Sequence, residues 1–302
     1  MANEVVTSDL VSNGGLVSEI LAAMIHEQLY DPTDLRAVCQ RVPWTAGGST
    51  AMSIPSVPGP GAFSSVAEGS SSSNSAYTTS EATLTVARYA RQYEITDLVP
   101  VAGSPIDLGL LVQNLMGGVA VTITDLIAAL FGSLSNSVGT SGVDMSCDDM
   151  YDAQFQLNSS LVPGRYTFVG HPVQLNDFRS SLRGETGAIQ FTPATAEMLA
   201  SKGSGYQGSW NNIDVWQSDS CASSGGNRQG AMFGENCFAF TEAPVALIQG
   251  HIPANNILVN AGEILVELIR DAAGGETAAL AHYYPAVAEL EDSRGVLVAT
   301  DA

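Results

Sequence analysis

Four carboxylates crowd one short stretch, Val143-Asp-Met-Ser-Cys-Asp-Asp-Met-Tyr-Asp152, as Asp144, Asp148, Asp149 and Asp152. Hard divalent cations bind such oxygens, so these four are the candidate metal ligands. The stretch lacks the alternate-position spacing and the closing glutamate of a calcium loop. The preferred reading is a helix N-terminus, where Asp148 and Asp149 cap the first turn and complement its dipole. The cluster is still the first place to look for an ion.

Nothing else is arranged for catalysis. A nucleophile elbow of the form GxSxG is absent, and the nearest sequence, Gly139-Thr-Ser-Gly142, fails at its final glycine. There is no HExxH, no phosphate-binding loop and no GxGxxG after a strand. The four histidines, His26, His171, His251 and His282, are far apart in sequence. Neither an enzymatic centre nor a cofactor is expected.

Charge excludes a further class of function. Of 302 residues, 31 are acidic and 11 basic, for a formal net charge of -20. The cations are ten arginines and one lysine, Lys202, and none precedes Arg36. Such a chain does not grip nucleic acid through a basic face or arm. Tyr77, Tyr89, Tyr93, Trp210 and Trp216 are not interleaved with cations as a single-strand platform requires, apart from Arg88 and Arg91 beside two tyrosines. Those two arginines are either solvated strand residues or partners for a neighbour's carboxylates.

The N-terminal sequence has no cationic stretch followed by an apolar run, so a cytoplasmic origin is expected. Cys39, Cys147, Cys221 and Cys237 have no CxxC spacing and agree with that compartment. Free buried thiols are expected, with a pairing of Cys221 and Cys237 across a hairpin as the alternative.

The elements that must carry these residues follow from periodicity. Val17, Ile20, Leu21, Met24, Ile25 and Leu29 predict an amphipathic helix over 16–30. A region from Pro43 to Ser80 rich in Pro, Gly, Ser and Thr resembles a free linker in composition. Alternating segments bound it, however, at 51–57 and from Glu81 onward, which predicts a long hairpin with a Gly69–Ser75 tip. Ala82, Leu84 and Val86 share one parity while Tyr89, Tyr93 and Ile95 share the other. A slip near Ala87 therefore marks a bulge, a bend or a change of environment.

Residues 104–132 predict one helix about 40 Å long, with Ser104 as N-cap, Pro105 at its first position and Asp107 in its first turn. Leu108 to Thr124 carries no charge, but Gln113, Asn114, Asp125 and the lack of basic flanks favour a mostly buried packing helix over a membrane span. Beyond Asp144 a mixed region is expected: strands at 165–169 and 213–216, helices at 172–182 and 193–202. Strands at 257–259 and 264–270 and a last hairpin over 278–299 close the chain.

This order of parts, an arm with a helix, a long hairpin, a very long apolar helix, an α/β insertion and closing strands, resembles the major capsid proteins of tailed bacteriophages. Gly208-Ser-Trp-Asn-Asn-Ile-Asp-Val-Trp-Gln-Ser218 looks like a recurrent strand of that Hong Kong 97 fold family. Gly230 to Phe240 resembles the segment that follows it, and Tyr283 to Ala299 the closing hairpin.

The resemblance covers nearly the whole chain and implies an α+β capsid fold. Its divisions would be an N-terminal arm (1–45), an extended loop (46–86), a peripheral domain (87–140 with 250–302, including the spine helix) and an axial α/β domain (141–249). It implies a non-enzymatic subunit that forms hexamers and pentamers of an icosahedral head around double-stranded DNA held without sequence-specific binding. Portal and scaffolding proteins, with or without a cement protein, would be its partners, the host cytoplasm its assembly site and the virion its destination, with no membrane. Glu68 and Tyr77 in the loop, with Arg88 and Arg91 beyond it, are the assembly contacts so implied. No lysine lies in 46–86, so a lysine-to-asparagine cross-link from that loop is not expected. An encapsulin-type compartment around a cargo enzyme is the alternative, and an acidic secreted hydrolase or cation-binding surface protein is more distant.

Overall fold

The computed structural model describes residues 4–5, 33–45, 48–56, 65–71, 79–98, 108–185, 190–249, 252, 257–261 and 264–301. The helix expected over 16–30, the loop residue Tyr77 and the cap expected at Ser104 lie outside the described residues.

In chain order the first strands are β1 (Glu4–Val5), β2 (Gln40–Arg41), β3 (Ala51–Ser56), β4 (Ser80–Thr85) and β5 (Tyr89–Thr96). Helix α1 (Leu108–Ala129) follows, then β6 (Ser137–Val138), α2 (Cys147–Ser159), β7 (Tyr166–Gly170), α3 (Pro172–Gly184), β8 (Thr192–Pro193) and α4 (Ala196–Lys202). Next come β9 (Tyr206–Trp210), β10 (Ile213–Gln217), β11 (Ser223–Ser224), β12 (Asn227–Phe233), β13 (Phe238–Glu242) and α5 (Ala246–Gln249). The chain closes with β14 (Ile257–Ala261), β15 (Ile264–Asp271), β16 (Glu276–Tyr283), β17 (Pro285–Glu289) and β18 (Gly295–Asp301).

Two large sheets result. One has the order β1-β5-β16-β15-β14, and the other β6-β18-β12-β7-β10-β9-β8 with β11 beside β12. Helix α1 joins them. Its buried residues Leu115, Val119, Ile123 and Ile127 recur every four positions and form one stripe. Leu115 and Val119 pack on Ile264, Val266 and Ala281 of the first sheet. Ile123 and Ile127 pack with Phe131, Val169 and Phe233 under the second. The other face of the second sheet is covered by α2 and α3, through residues such as Met150, Leu157 and Phe178. Strands sandwiched in this way read as near-continuous apolar runs, as β12 does in Gly230-Ala-Met-Phe233.

The helix differs from the expectation of a mostly buried rod. Gln113, Asn114, Met116 and Asp125 are exposed. Its apolar content is high enough to satisfy the length and hydropathy of a membrane span, with a mean hydropathy of 1.8 over Val112–Ser133. Burial of the stripe in two protein cores accounts for that content instead.

Three further differences have local causes. The segment expected as a helix over 193–202 starts later, because Thr195 is its N-cap, accepting from Met198 N, and Thr192–Pro193 is strand β8. Pro193 lies opposite Gly208, where φ is +141° and a Cβ would sit 2.2 Å from Thr192 O, so that crossing needs glycine. Second, β9 and β10 form a hairpin through Asn211 and Asn212, whose φ values of 45° and 64° suit asparagine in a two-residue turn. Third, the hairpin expected over 278–299 is absent. Strands β16, β17 and β18 go to three sheets, pairing with β15 and β5, with β13, and with β12 and β6 respectively. The true hairpin of this region is β15–β16, with Leu265 opposite His282.

Truncating Ile123 to Ala should destabilise the isolated subunit by roughly 2–5 kcal/mol. Met116→Ala, on the exposed side of the same helix, should shift its stability by less than about 0.5 kcal/mol. Urea titrations of the two variants followed by tryptophan fluorescence measure both values. Equal midpoints would contradict the packing assigned to α1.

Candidate assembly surface

Strands β3 and β4 pair antiparallel from Ala51 opposite Thr85 to Ser56 opposite Ser80, where the alternating segments predicted a hairpin. Only one residue of the pair is fully buried. Leu84 packs against Ala286 and Ala288 of β17, with Met52, Ile54, Val42 and Val86 half-buried around it. The hairpin is thus anchored at its root. Two hydrogen bonds fix that root, Val86 N to Thr50 O at 2.8 Å and Ala87 N to Pro285 O at 3.3 Å. Residues 86–88 leave the ladder, and β5 then joins the five-stranded sheet beside β16. The slip in alternation near Ala87 corresponds to this passage from one sheet to another. Toward the far end, Glu68 is exposed in a turn closed by Ser70 N to Ala67 O at 3.0 Å.

Arg88 and Arg91 flank the exit. Arg88 Nη2 donates to His282 Nδ1 at 3.3 Å, so the His282 proton sits on Nε2 and is donated to Glu267 Oε2 at 3.1 Å. This chain crosses the sheet from the hairpin root to a buried carboxylate. Arg91 is exposed and lies 5.1 Å from the Tyr93 ring, whose hydroxyl donates to Asn114 Oδ1 on α1 at 2.9 Å. Among the described residues neither arginine has a carboxylate ion-pair partner within the chain. Between the sheet and α1 lies an open cleft of about 200 Å³ lined by Tyr89, Arg91, Leu115, Val119, Ile264 and Tyr283. Arg91 lines the cleft on the α1 face, whereas His282 alternates with Ala281 and Tyr283, so the chain from Arg88 to Glu267 lies on the opposite face of the sheet; hairpin, arginine pair and cleft together are the candidate surface.

The carboxylate cluster lies elsewhere, at the start of α2. Ser146 is the N-cap, accepting from Asp149 N, and Asp149 returns its carboxylate to Ser146 N at 2.8 Å, closing a capping box. Asp148 is exposed in the first turn, Asp152 one turn on and Asp144 before the cap. The cap is therefore Ser146, with Asp149 as its reciprocal partner, where Asp148 and Asp149 themselves were expected. Among the described residues no group of three or more His, Cys, Asp or Glu is placed to hold a metal ion.

No protein-family model matches the sequence, and no curated protein sequence matches it. Solved structures do. A chain of Mycobacterium phage Che8 is 15% identical, with 94% of this chain and 97% of that chain covered at a TM-score of 0.65. A chain of the capsid of cyanophage P-SCSP1u is 12% identical, with 94% and 92% covered and a TM-score of 0.64. A chain of the capsid of a native GTA particle is 12% identical, with 99% and 100% covered and a TM-score of 0.62. This chain has a phage capsid fold. At these identities the likeness resides in the backbone path, which extends over nearly the whole of both chains.

Within that capsid fold the reactive side chains are held in internal contacts. Lys202 Nζ is 2.7 Å from Asp214 Oδ2 and 4.3 Å from the centre of the Tyr206 ring, while Arg165 reaches Asp214 Oδ1 at 2.9 Å. All four cysteines are free thiols. Burial pushes Cys39 up to about 12 and raises Cys237 further, so both stay protonated at neutral pH. His171 stands at the start of α3 and His282 in β16 and they share no site, while the other two histidines lie outside the described residues. What composition and motifs did not reveal is the set of surface residues on α2 and α3 treated below. The available signal was Tyr151 and Phe155, four apart and off the buried Met150, Ala153 and Leu157 stripe.

His171 N-caps α3, its Nδ1 accepting from Val173 N at 3.3 Å while Nε2 donates to Asp219 Oδ1 at 2.9 Å. Burial, and then Arg228, lowers its pKa, against the opposing pull of Asp219. The folded chain thus binds this proton less readily than the unfolded chain, so the contribution is present above the ordinary histidine pKa of about 6.5 and is lost as pH falls below it. His171→Asn keeps a good cap without the titration. Its melting temperature should fall less than that of the parent between pH 7.5 and pH 5.5; parallel falls would refute the assignment.

Proposed function

We propose that the chain is the major capsid protein of a tailed phage or a related particle, a structural subunit that assembles into a closed icosahedral head. The observation that carries this reading is the backbone match to head and capsid chains over nearly the full length of both. The one-sided hairpin supports it. A two-stranded ribbon with a single buried anchor is marginal alone, and laying it over an adjacent subunit turns exposed area into interface. The same reading assigns residues 1–45 to an arm, 46–86 to an extended loop, 87–140 with 250–302 to a peripheral domain and 141–249 to an axial domain. Hexamers and pentamers of such subunits, with portal and scaffolding proteins and with or without a cement protein, would complete a virion head of the Hong Kong 97 type. The role is architectural rather than enzymatic.

Charge then sets how the head is filled. A subunit of formal net charge -20 cannot gather DNA by releasing its counterions. Loading of a preformed shell by an external motor fits such a lining, because the acidic wall lets the polyanion slide. Purified subunits that co-assemble specifically around free DNA would overturn that part of the reading.

Assembly should accelerate as salt screens the repulsion among subunits, from about 50 mM to about 500 mM, where the Debye length shrinks several-fold. Light scattering across the series measures it, and faster assembly at the low end would contradict the electrostatic account. Electron microscopy of the product checks closure and diameter. Deleting residues 69–75 should leave a folded subunit that closes shells poorly; normal, stable particles from that deletion would remove the hairpin from the assembly mechanism.

A further inference from the structure

Two surfaces beside the large sheet carry opposite chemistry. Above β18, α2 turns its second face outward: Tyr151, Asp152 and Phe155 are exposed, Phe155 at 69%. The helix buries Cys147, Met150, Ala153 and Leu157 on its other side and packs the Tyr151 ring edge-on against Trp210 at 4.8 Å, which leaves Phe155 as the aromatic residue of this face turned to solvent. At the β8 edge, Arg179, Phe191, Pro193, Leu199 and Tyr206 line an open groove of about 480 Å³. The Arg179 guanidinium sits 5.1 Å from the Phe191 ring and donates to Gln207 Oε1 at 3.1 Å. Those contacts use part of its five-donor fork, and no intrachain carboxylate occupies the rest among the described residues.

We propose that the Tyr151-Asp152-Phe155 face of one copy docks in the Arg179-Phe191-Leu199 groove of the next. Charge complementarity selects a second copy as the occupant. With 31 acidic residues against 11 basic, a random homotypic contact sets carboxylate against carboxylate, and most described cations are already paired within the chain. The acidic face would repel itself, since Asp148 is exposed one turn from Asp152 on the same helix. A guanidinium with donors to spare beside an apolar groove is what such a face needs, with the Asp152 carboxylate on Arg179 and the Phe155 ring on Phe191 and Leu199.

Among the described residues no ion pair joins Asp152 to Arg179, and both sit on helices packed against the same sheet, so the pair forms only between copies. A head-to-tail contact satisfies both faces in every copy and closes into a ring when the rotation permits. The inference rests on the capsid reading and names the contact that would build its rings.

Charge reversal tests it. Asp152→Arg and Arg179→Glu should each slow shell formation at least about 10-fold, since like charges would then face each other. The double variant should recover most of the parental rate, which a merely structural role for either residue would not produce. Phe155→Ser should also slow assembly while leaving the subunit's circular dichroism and melting temperature unchanged. If a charge variant fails to fold, the pair Phe155→Cys with Leu199→Cys decides. Shells of that variant oxidised with glutathione disulfide should give a ladder of disulfide-linked oligomers, and each single variant none. Shells from Asp152→Arg and Phe155→Ser at the parental rate, or no ladder, would overturn the contact while leaving the capsid reading in place. A parental chain that stays monomeric at every salt concentration would overturn that reading as well.

Discussion

The buried stripe of α1 is shared between two cores, and most other contacts in the subunit are arranged around it. Leu115 and Val119 belong to the five-stranded sheet, Ile123 and Ile127 to the eight-stranded one, so a rigid helix fixes the angle between two sheets that do not pair with each other. Thr124, on the same side, extends the link to the N-terminal segment: its hydroxyl donates to Thr33 O at 2.9 Å and accepts from Leu35 N at 3.3 Å. One helix face thereby sets both sheets and the position of residues 33–35. Close packing makes such a joint stiff, because neighbouring side chains cannot slide without opening voids.

This dependence explains which parts could be read from sequence. The hairpin was legible because alternation at 51–56 and 80–85 has period two and because its slip at Ala87 has a geometric meaning. The long helix was legible from its length and apolarity, but its exposed side was not, since Met116 and Leu115 look alike in composition and only the two sheets distinguish them. Strand partners were the main loss. β16, β17 and β18 follow one another as a meander would, yet each enters a different sheet. Local alternation specifies a face and leaves the partner to tertiary packing. The candidate surface divides in the same way. Arg88 and Arg91 stood out as rare cations beside tyrosines, whereas the chain from Arg88 through His282 to Glu267 spans 194 residues of sequence and no local pattern announces it.

Electrostatics is distributed on a consistent plan. Lys202 and Arg165 converge on Asp214, Arg36 and Arg41 on Glu242, and Arg270 and Arg294 each hold a nearby carboxylate. These pairs are partly exposed, and each contributes little to stability. Their larger effect is to remove scarce positive charge from the surface. The cations that hold no carboxylate among the described residues, Arg88, Arg91 and Arg179 among them, occupy the hairpin exit and the β8 groove, where on the capsid reading an adjacent copy would supply one.

A surface of that kind constrains how strongly subunits bind. On the capsid reading, repulsion between chains of net charge -20 would oppose every contact, so attraction would have to come from apolar area such as that proposed at the hairpin and Phe155, supplemented by a few arginines. Each contact is then weak on its own. Weak contacts let a misplaced subunit dissociate before its neighbours lock it in, and closed symmetry multiplies the correct contacts until the whole is durable. A more balanced charge would strengthen single contacts and trap errors along with them. On the capsid reading, the acid excess, the one-sided hairpin and the sparing placement of arginine would be parts of one physical arrangement: a subunit rigid within itself, joined to its neighbours reversibly.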